Sequence, residues 1–251
     1  MQNSFYHIPG LPVSIALLAD LHEKDYSFLS DLYPVDLIAV AGDVLYGSAP
    51  EDGSSAAERV IPFLSACAAK APTFLSPGNH EWMLDQEDLA MIEKCGAAVL
   101  DNRWVSGNGI CIGGLSSGIY TDYQRFRAQK EERYPLREVS HRKEAPLPDT
   151  EWLGDFEKQP GYKILLSHHP EYWTFLKRRS VDLVLSGHAH GGQIRLFGHG
   201  LFAPGQGWWP ELTSGVHDGR LVISRGLSNT AALVPRLFNP TEIVCLLPGE
   251  S

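Results

Sequence analysis

Five short apolar runs in this chain each end abruptly against residues able to hold a metal ion. Residues 13–19 lead into Asp20-Leu-His22, and 35–41 into Gly42-Asp43. Residues 71–76 lead into Pro77-Gly-Asn-His-Glu81, 162–167 into His168-His169, and 181–186 into Gly187-His-Ala-His190. Runs of this length bounded by Gly or Pro read as buried strands. Helices are expected between them, over about 25–33, 56–70, 86–95, 149–158 and 172–180. Alternation of strand and helix points to an α/β architecture in which helices cover the sheets. Ligands of such sheets bind outside the carboxyl ends of the strands. A single polar strand end is an ordinary loop, but packing gives no reason for five loaded with His and Asp.

Composition narrows the chemistry. With 30 acidic against 21 basic residues the chain carries a net charge of -9, which opposes general binding to nucleic-acid backbones. Any phosphate chemistry therefore needs imported positive charge, most simply as metal ions. A hydrophobic fraction of 43% over 251 residues excludes a disordered chain and supplies a full core. Cys67, Cys95, Cys111 and Cys245 form no C-x-x-C pair, so reduced side chains, mostly in the core, are expected rather than a zinc ribbon or disulfide framework. Residues 1–10 lack the basic start of a secretory signal, and the run 13–19 is too short to span a bilayer, so a cytoplasmic location and no transmembrane segment are expected. No linker composition, repeat or low-complexity tract divides the chain, which reads as one domain over 1–251.

The strand ends together offer Asp20, His22, Asp43, Asn79, His80, His168, His188 and His190, with His169 adjacent. Imidazole, carboxylate and amide without thiolate suit manganese, iron, zinc or cobalt and disfavour a structural zinc site. The set exceeds the needs of one ion. Two ions sharing a bridging carboxylate, roughly 3.5–4 Å apart as in two-metal hydrolases, account for it.

The ordered series D-x-H (Asp20, His22), G-D (Gly42, Asp43), G-N-H-E (residues 78–81), S-H (Ser167, His168) and G-H-x-H (residues 187–190) resembles the calcineurin-like metallophosphoesterase family, over about 170 residues. Each piece alone is weak and the ordered set is specific. The chain is similar to a bacterial subgroup with G-H-[TA]-H-G-G-Q, here 187–193, and R-L-F-N-x-x-E-I-V, here 236–244. The resemblance implies a four-layer sandwich of two mixed β-sheets flanked by helices. It implies two divalent ions, manganese first with iron or zinc as alternatives. Asp20, His22 and His190 would hold the first ion, and Asn79, His168 and His188 the second, with Asp43 bridging. His80 and the bridging Asp43 are the catalytic candidates, His80 protonating the leaving oxygen. The implied reaction is hydrolysis of a phosphodiester or pyrophosphate bond by hydroxide held between the ions, with phosphomonoesters as the alternative. The implied partner is a small phosphorylated substrate, either nucleotide-like or another small phosphodiester. His169 receives no role from the resemblance and reads equally as a residue behind the ligands or a polar loop residue.

Other features stay outside that pattern. Asp43 is followed at the third position by Tyr46 where the family often has Asp, and Tyr46 is expected to pack or to sit behind the ligands rather than to bind metal. Residues 114–118 match G-x-S-x-G, which would make Ser116 a nucleophile; the short pattern is better read as a loop bordering the substrate. A charged insert near 118–148, with Arg125, Arg127, Lys130, Arg133, Arg137, Arg142 and Lys143, is either a lid or a solvated helical face. Trp208 and Trp209 are expected to plug a sheet edge. A non-catalytic scaffold for partner proteins is the rival class, disfavoured because every ligand position is intact.

Overall fold

Two six-stranded sheets carry the fold in a computed structural model that describes residues 1–47, 55–129, 146–228 and 235–250. The first holds β1 (Gln2–Pro9), β2 (Ile15–Leu18), β3 (Leu37–Val40), β4 (Thr73–Leu75), β5 (Ala97–Val99) and β16 (Glu242–Gly249), in the order β1-β16-β2-β3-β4-β5. The second holds β6 (Arg103–Gly107), β7 (Ile110–Leu115), β8 (Tyr162–Ser167), β9 (Leu183–Ser186), β14 (Gly215–His217) and β15 (Leu221–Ile223), in the order β14-β15-β9-β8-β7-β6. Both are mixed. β2 to β5 run parallel and β16 antiparallel to β2, while β7, β8, β9 and β15 run parallel between antiparallel edges β6 and β14. Two small hairpins follow β9: β10–β11 (Arg195–Leu196 and His199–Gly200) and β12–β13 (Phe202–Ala203 and Gly207–Trp208).

Strand periodicity explains why two sheets need four layers. Ile15 and Leu17 of β2 face the second sheet, where they meet Ile112, Ile164, Leu166, Leu183 and Leu185. Their neighbours Ala16 and Leu18 point the other way, against Val60, Phe63 and Leu64 of helix α1 (Ala56–Ala68) and Leu89 and Ile92 of helix α2 (Gln86–Lys94). Beyond helix α3 (Gly118–Gln129), the outer face of the second sheet, with Leu165, Val184, Leu221 and Ile223, is covered by Leu153 and Phe156 of α4 (Leu153–Glu157) and Trp173 and Leu176 of α5 (Trp173–Leu176). Both strand faces are buried, so the runs are apolar throughout instead of alternating. Each large side chain so buried contributes roughly 1.5–3 kcal/mol. This is the expected sandwich. Cys67, Cys111 and Cys245 lie in the cores and all four cysteines are free.

Several local expectations are corrected. The helix expected over 25–33 is only a 3-10 turn, Ser27–Asp31, because Leu32 is already extended ahead of Pro34 and Tyr33. The one expected over 172–180 is a 3-10 turn, Pro170–Tyr172, running into α5, because Lys177, Arg178 and Arg179 leave no apolar face to pack beyond Leu176. That over 149–158 is reduced to α4, whose packing rests on Leu153 and Phe156. Strands β1, β5, β6, β14, β15 and β16 and the four short hairpin strands β10–β13 are not legible as strands in the sequence. Trp208 and Trp209 do not plug a sheet edge: they are 67% and 74% exposed, and Trp209 adopts a left-handed φ of 57° beyond the β12–β13 hairpin. The charged insert begins as α3, where Arg127 donates to Met83 O and Asp85 Oδ2 and Arg125 pairs with Asp149. Lys130, Arg133, Arg137, Arg142 and Lys143 lie outside the described residues. No helix among the described residues is long and apolar enough to cross a membrane.

Candidate metal centre

The carboxyl ends of β2, β3, β4, β8 and β9 converge, and main-chain hydrogen bonds stitch their loops together. His22 N donates to Asp43 O at 3.1 Å and Glu23 N to Val44 O at 2.8 Å, so the loops after β2 and β3 run side by side. The Asp20 carboxylate accepts His188 N at 3.1 Å, which ties the first sheet to the second. His80 N donates to Asp43 Oδ1 at 2.9 Å. Behind these loops lies the fully buried Glu81 carboxylate, which accepts the N–H groups of Gly78, Asp43, Val44 and Leu45 at 2.7–3.0 Å. Gly78 permits this packing, since a Cβ there would strike both the Asp43 carboxylate and Glu81.

Five of the candidate ligands, Asp20, His22, Asp43, His188 and His190, hold left-handed φ angles between 45° and 64°. Such angles are uncommon outside glycine and cost roughly 1 kcal/mol or more each, and they persist where the surroundings over-determine them, typically at functional sites. Here they turn each side chain back across its strand end.

The turned side chains form two groups. Atoms of Asp20, His22 and His190 lie within 4.8 Å of one another, as do atoms of Asp43, His168 and His188. Asp43 Oδ2 stands between the groups, 4.0 Å from His22 Nε2 and 3.1 Å from His168 Nε2, in the position of a shared carboxylate. His80 Nε2 faces the same oxygen at 3.8 Å, and its side chain is about a third exposed. His22 Nδ1 donates to Leu45 O at 3.0 Å, His168 Nδ1 to Ala41 O at 2.6 Å and His80 Nδ1 to Tyr46 O at 2.6 Å. These carbonyls fix the tautomers and aim Nε2 inward, as in metal-binding histidines. His22 Nε2, His168 Nε2, His190 Nδ1 and Asn79 Oδ1 are buried without a hydrogen-bond partner. Leaving buried polar atoms unpaired costs about 1–3 kcal/mol each, so the donor set fits divalent ions that would take them up.

The electrostatics agree. Burial lowers the His22 imidazole to about 4, and burial reinforced by Arg236 lowers His190 to about 4; His188 is held well below the usual range by burial and by His169 and His168. These rings are neutral at neutral pH, the form in which imidazole can take up a metal ion. For His168 burial is outweighed by the Asp43 and Asp20 carboxylates, which raise it to about 10. Burial alone would raise Asp43, but His168 and His80 hold it well below the usual carboxylate range. Burial, aided by Asp43, raises Asp20.

Seven of the eight expected residues, Asp20, His22, Asp43, His80, His168, His188 and His190, thus fall into these groups, while Asn79 directly precedes His80 with its Oδ1 buried and unpartnered. Ser116 is no nucleophile here: it is fully buried and its hydroxyl donates to Asp101 Oδ1 at 2.7 Å. The Tyr46 side chain is 46% exposed, and its carbonyl is what serves the site, by holding His80. Sequence reading gave no role to Glu81, though it ends the G-N-H-E motif. It also passed over Asn239 in the late motif, which donates to His190 O and Gln193 O at 2.8 and 3.0 Å.

Among known proteins, a metallophosphoesterase of Helicobacter pylori, described as uncharacterized, is 30% identical over 196 residues, covering 72% of this chain and 45% of its own length. The similarly described YkoQ of Bacillus subtilis is 27% identical, covering 85% and 70%. Phosphodiesterase YaeI of Escherichia coli is 25% identical, covering 77% and 66%. The chain therefore spans less than half the length of the H. pylori relative. Residues 13–192, well over half of the chain, match the family described as calcineurin-like phosphoesterase. On the strength of that match, this chain belongs to the calcineurin-like phosphoesterase family.

Proposed function

We propose that the chain is a single catalytic domain that hydrolyses phosphodiester or pyrophosphate bonds of small, nucleotide-like substrates with two divalent ions, manganese foremost. The observation that carries the reading is the set of buried, unpartnered side-chain atoms in two groups with Asp43 Oδ2 between them. Asp20, His22 and His190 would hold one ion and Asn79, His168 and His188 the other. Bound there, two divalent ions would acidify water and neutralise phosphate oxygens as charge develops in the transition state. The chain's own residues supply the rest. Asp43 sets the spacing of the two groups. His80, its Nδ1 committed to Tyr46 O, presents Nε2 on the open side of the site, placed to give a proton to the departing oxygen. The name of the YaeI relative favours diesters over monoesters.

The test pairs elemental analysis with hydrolysis of bis-p-nitrophenyl phosphate and p-nitrophenyl phosphate, with and without manganese. The expected result is about two ions per chain and manganese-stimulated diester cleavage that exceeds monoester cleavage. His80→Ala should keep both ions and lose about 10²–10⁴-fold in turnover. Preference for the monoester would overturn the substrate reading, and a chain that binds no ions would overturn the whole of it.

A further inference from the structure

The His169 side chain is buried beside the metal centre yet belongs to neither ligand group. Its Nε2 lies 2.7 Å from Ser117 Oγ, and its Nδ1 lies 3.3 Å from Glu171 Oε1. The Ser117 hydroxyl oxygen also accepts the N–H of Ile119 at 3.2 Å, at the start of α3, so its own hydrogen is free to go to His169 Nε2. That leaves the His169 proton on Nδ1, donated to Glu171. The same Glu171 oxygen lies 3.8 Å from His188 Nε2, and Glu171 Oε2 is buried with no partner. The carboxylate is also confined from the other side, where a Cβ on Gly205, at a φ of +72°, would strike Glu171 Oε1.

The order Ser–His–Glu looks like a hydrolase triad, but Ser117 is fully buried and its oxygen caps a helix. His169, Glu171 and His188 do lie close enough to share a third ion, but His169 Nε2 is taken by Ser117 and Nδ1 faces Glu171 itself, a hydrogen-bonded chain that leads from Ser117 to His188. What the arrangement does serve is the His188 ring, whose Nε2 faces Glu171. With Nε2 turned to Glu171, Nδ1 is the atom left for an ion shared with Asp43 and His168. Histidine ligands commonly give their second ring N–H to a carboxylate, which fixes the ring and raises its basicity.

We propose that Glu171 is a positioning residue that orients His188 toward the second ion, and that His169 and Ser117 hold Glu171 in place. The inference rests on the two-ion reading and deepens it. At 3.8 Å no hydrogen bond is formed, and Glu171, whose Oε2 has no partner, would accept the His188 Nε2–H once an ion holds Nδ1. His169 thereby acquires a role at the back of the site.

The test is manganese binding to wild type, Glu171→Gln, Glu171→Asp, Glu171→Ala and His169→Ala, by calorimetric titration and by elemental analysis after dialysis. The thermal midpoint of each metal-free protein is recorded alongside. Glu171→Gln should weaken the second manganese about 10–100-fold and leave the first unchanged. Its metal-free midpoint should match wild type, and excess manganese should restore kcat. Glu171→Asp should fall between, and His169→Ala should weaken the same ion less. Unchanged affinity for both ions in Glu171→Gln and Glu171→Ala would overturn the proposal. So would equal weakening of both ions together with a lower metal-free midpoint, the mark of a purely structural role. Wild type that takes up no manganese would defeat the two-ion reading itself, and this inference with it, before any variant is compared.

Discussion

Glu81 Oε2 accepts the main-chain N–H of Asp43 at 2.8 Å, so the turn that presents the shared carboxylate is clamped by a residue of the next motif along the chain. The same carboxylate takes three further N–H groups, from Gly78, Val44 and Leu45. Glu81→Gln keeps the shape but turns an NH₂ toward donors, and Glu81→Ala leaves buried N–H groups unpaired. Charge-assisted bonds contribute about 1.5–3 kcal/mol each, offset in part because burial and the Asp43 carboxylate raise the Glu81 carboxyl above its usual range. Urea unfolding of the metal-free protein should show a loss of about 1.5–3 kcal/mol or more for either variant. A loss under about 0.5 kcal/mol for Glu81→Gln would show that the turn holds itself.

The candidate site was legible because its residues stand where apolar runs end: Asp20 after 13–19 and His168 after 162–167 need only the rule that sheets bind ligands at their carboxyl ends. The same rule does not reach residues that act through the main chain. Glu81 and Asn239 satisfy backbone groups that become neighbours only after folding, and nothing in their local pattern says so. Edge strands escaped for a different reason. β1 buries little along its length and lacks a continuous apolar run, and its pairing with β16 joins residues some 240 apart in sequence, Gln2 opposite Glu242. Trp208 and Trp209 misled because aromatic side chains favour burial, whereas hairpin geometry leaves these two outside.

Metal uptake should depend on pH through His168. Asp43 and Asp20 overcome burial and raise this imidazole to about 10, so the metal-free protein carries His168 protonated at pH 7. An ion must displace that proton, and its apparent affinity should rise by up to about tenfold per pH unit between about pH 7 and 9. His22 and His190, lowered to about 4 by burial, are neutral throughout that range, so the first ion should show little of this dependence. Manganese titrations at several pH values, in buffers of different ionisation enthalpy, count the released proton. Equal, flat affinities for both ions would contradict the assignment of His168.

Stability of the metal-free protein should have a maximum near pH 6.5. His22 and His190 fall from the ordinary imidazole value of 6.5 to about 4 in the fold, so their contribution is complete above 6.5 and is lost as pH drops toward 4. His168 is raised from 6.5 to about 10, so its contribution is complete below 6.5 and is lost as pH climbs to 10. Each group contributes a slope of at most about 1.4 kcal/mol per pH unit. Bound manganese should stabilise the fold and displace the maximum upward, because ligand binding to the native state adds stability and His168 must lose its proton. Calorimetric midpoints of chelator-treated protein from pH 4.5 to 9 check this; a midpoint that climbs steadily across the range would refute it.

Gly78 and Gly154 should respond oppositely to alanine. At Gly78 a methyl group meets the Asp43 carboxylate, the Asp43 nitrogen at 2.7 Å and Glu81 Oε2 at 3.0 Å, so either the shared carboxylate or its clamp must move. Gly78→Ala should lose roughly 1–3 kcal/mol of stability through overpacking, and manganese stoichiometry should drop with it. At Gly154, inside α4, nothing lies within 4 Å of an added Cβ and φ is not positive. Alanine there removes backbone freedom from the unfolded chain and should stabilise by roughly 0.4–1 kcal/mol, with metal content unchanged. Unfolding curves and elemental analysis of the two variants separate a general intolerance of added bulk from a specific demand for glycine between Asp43 and Glu81. Full metal content and wild-type stability in Gly78→Ala would mean that the loops after β3 and β4 can part without disturbing Asp43, and the clamp argued for Glu81 would fall with it.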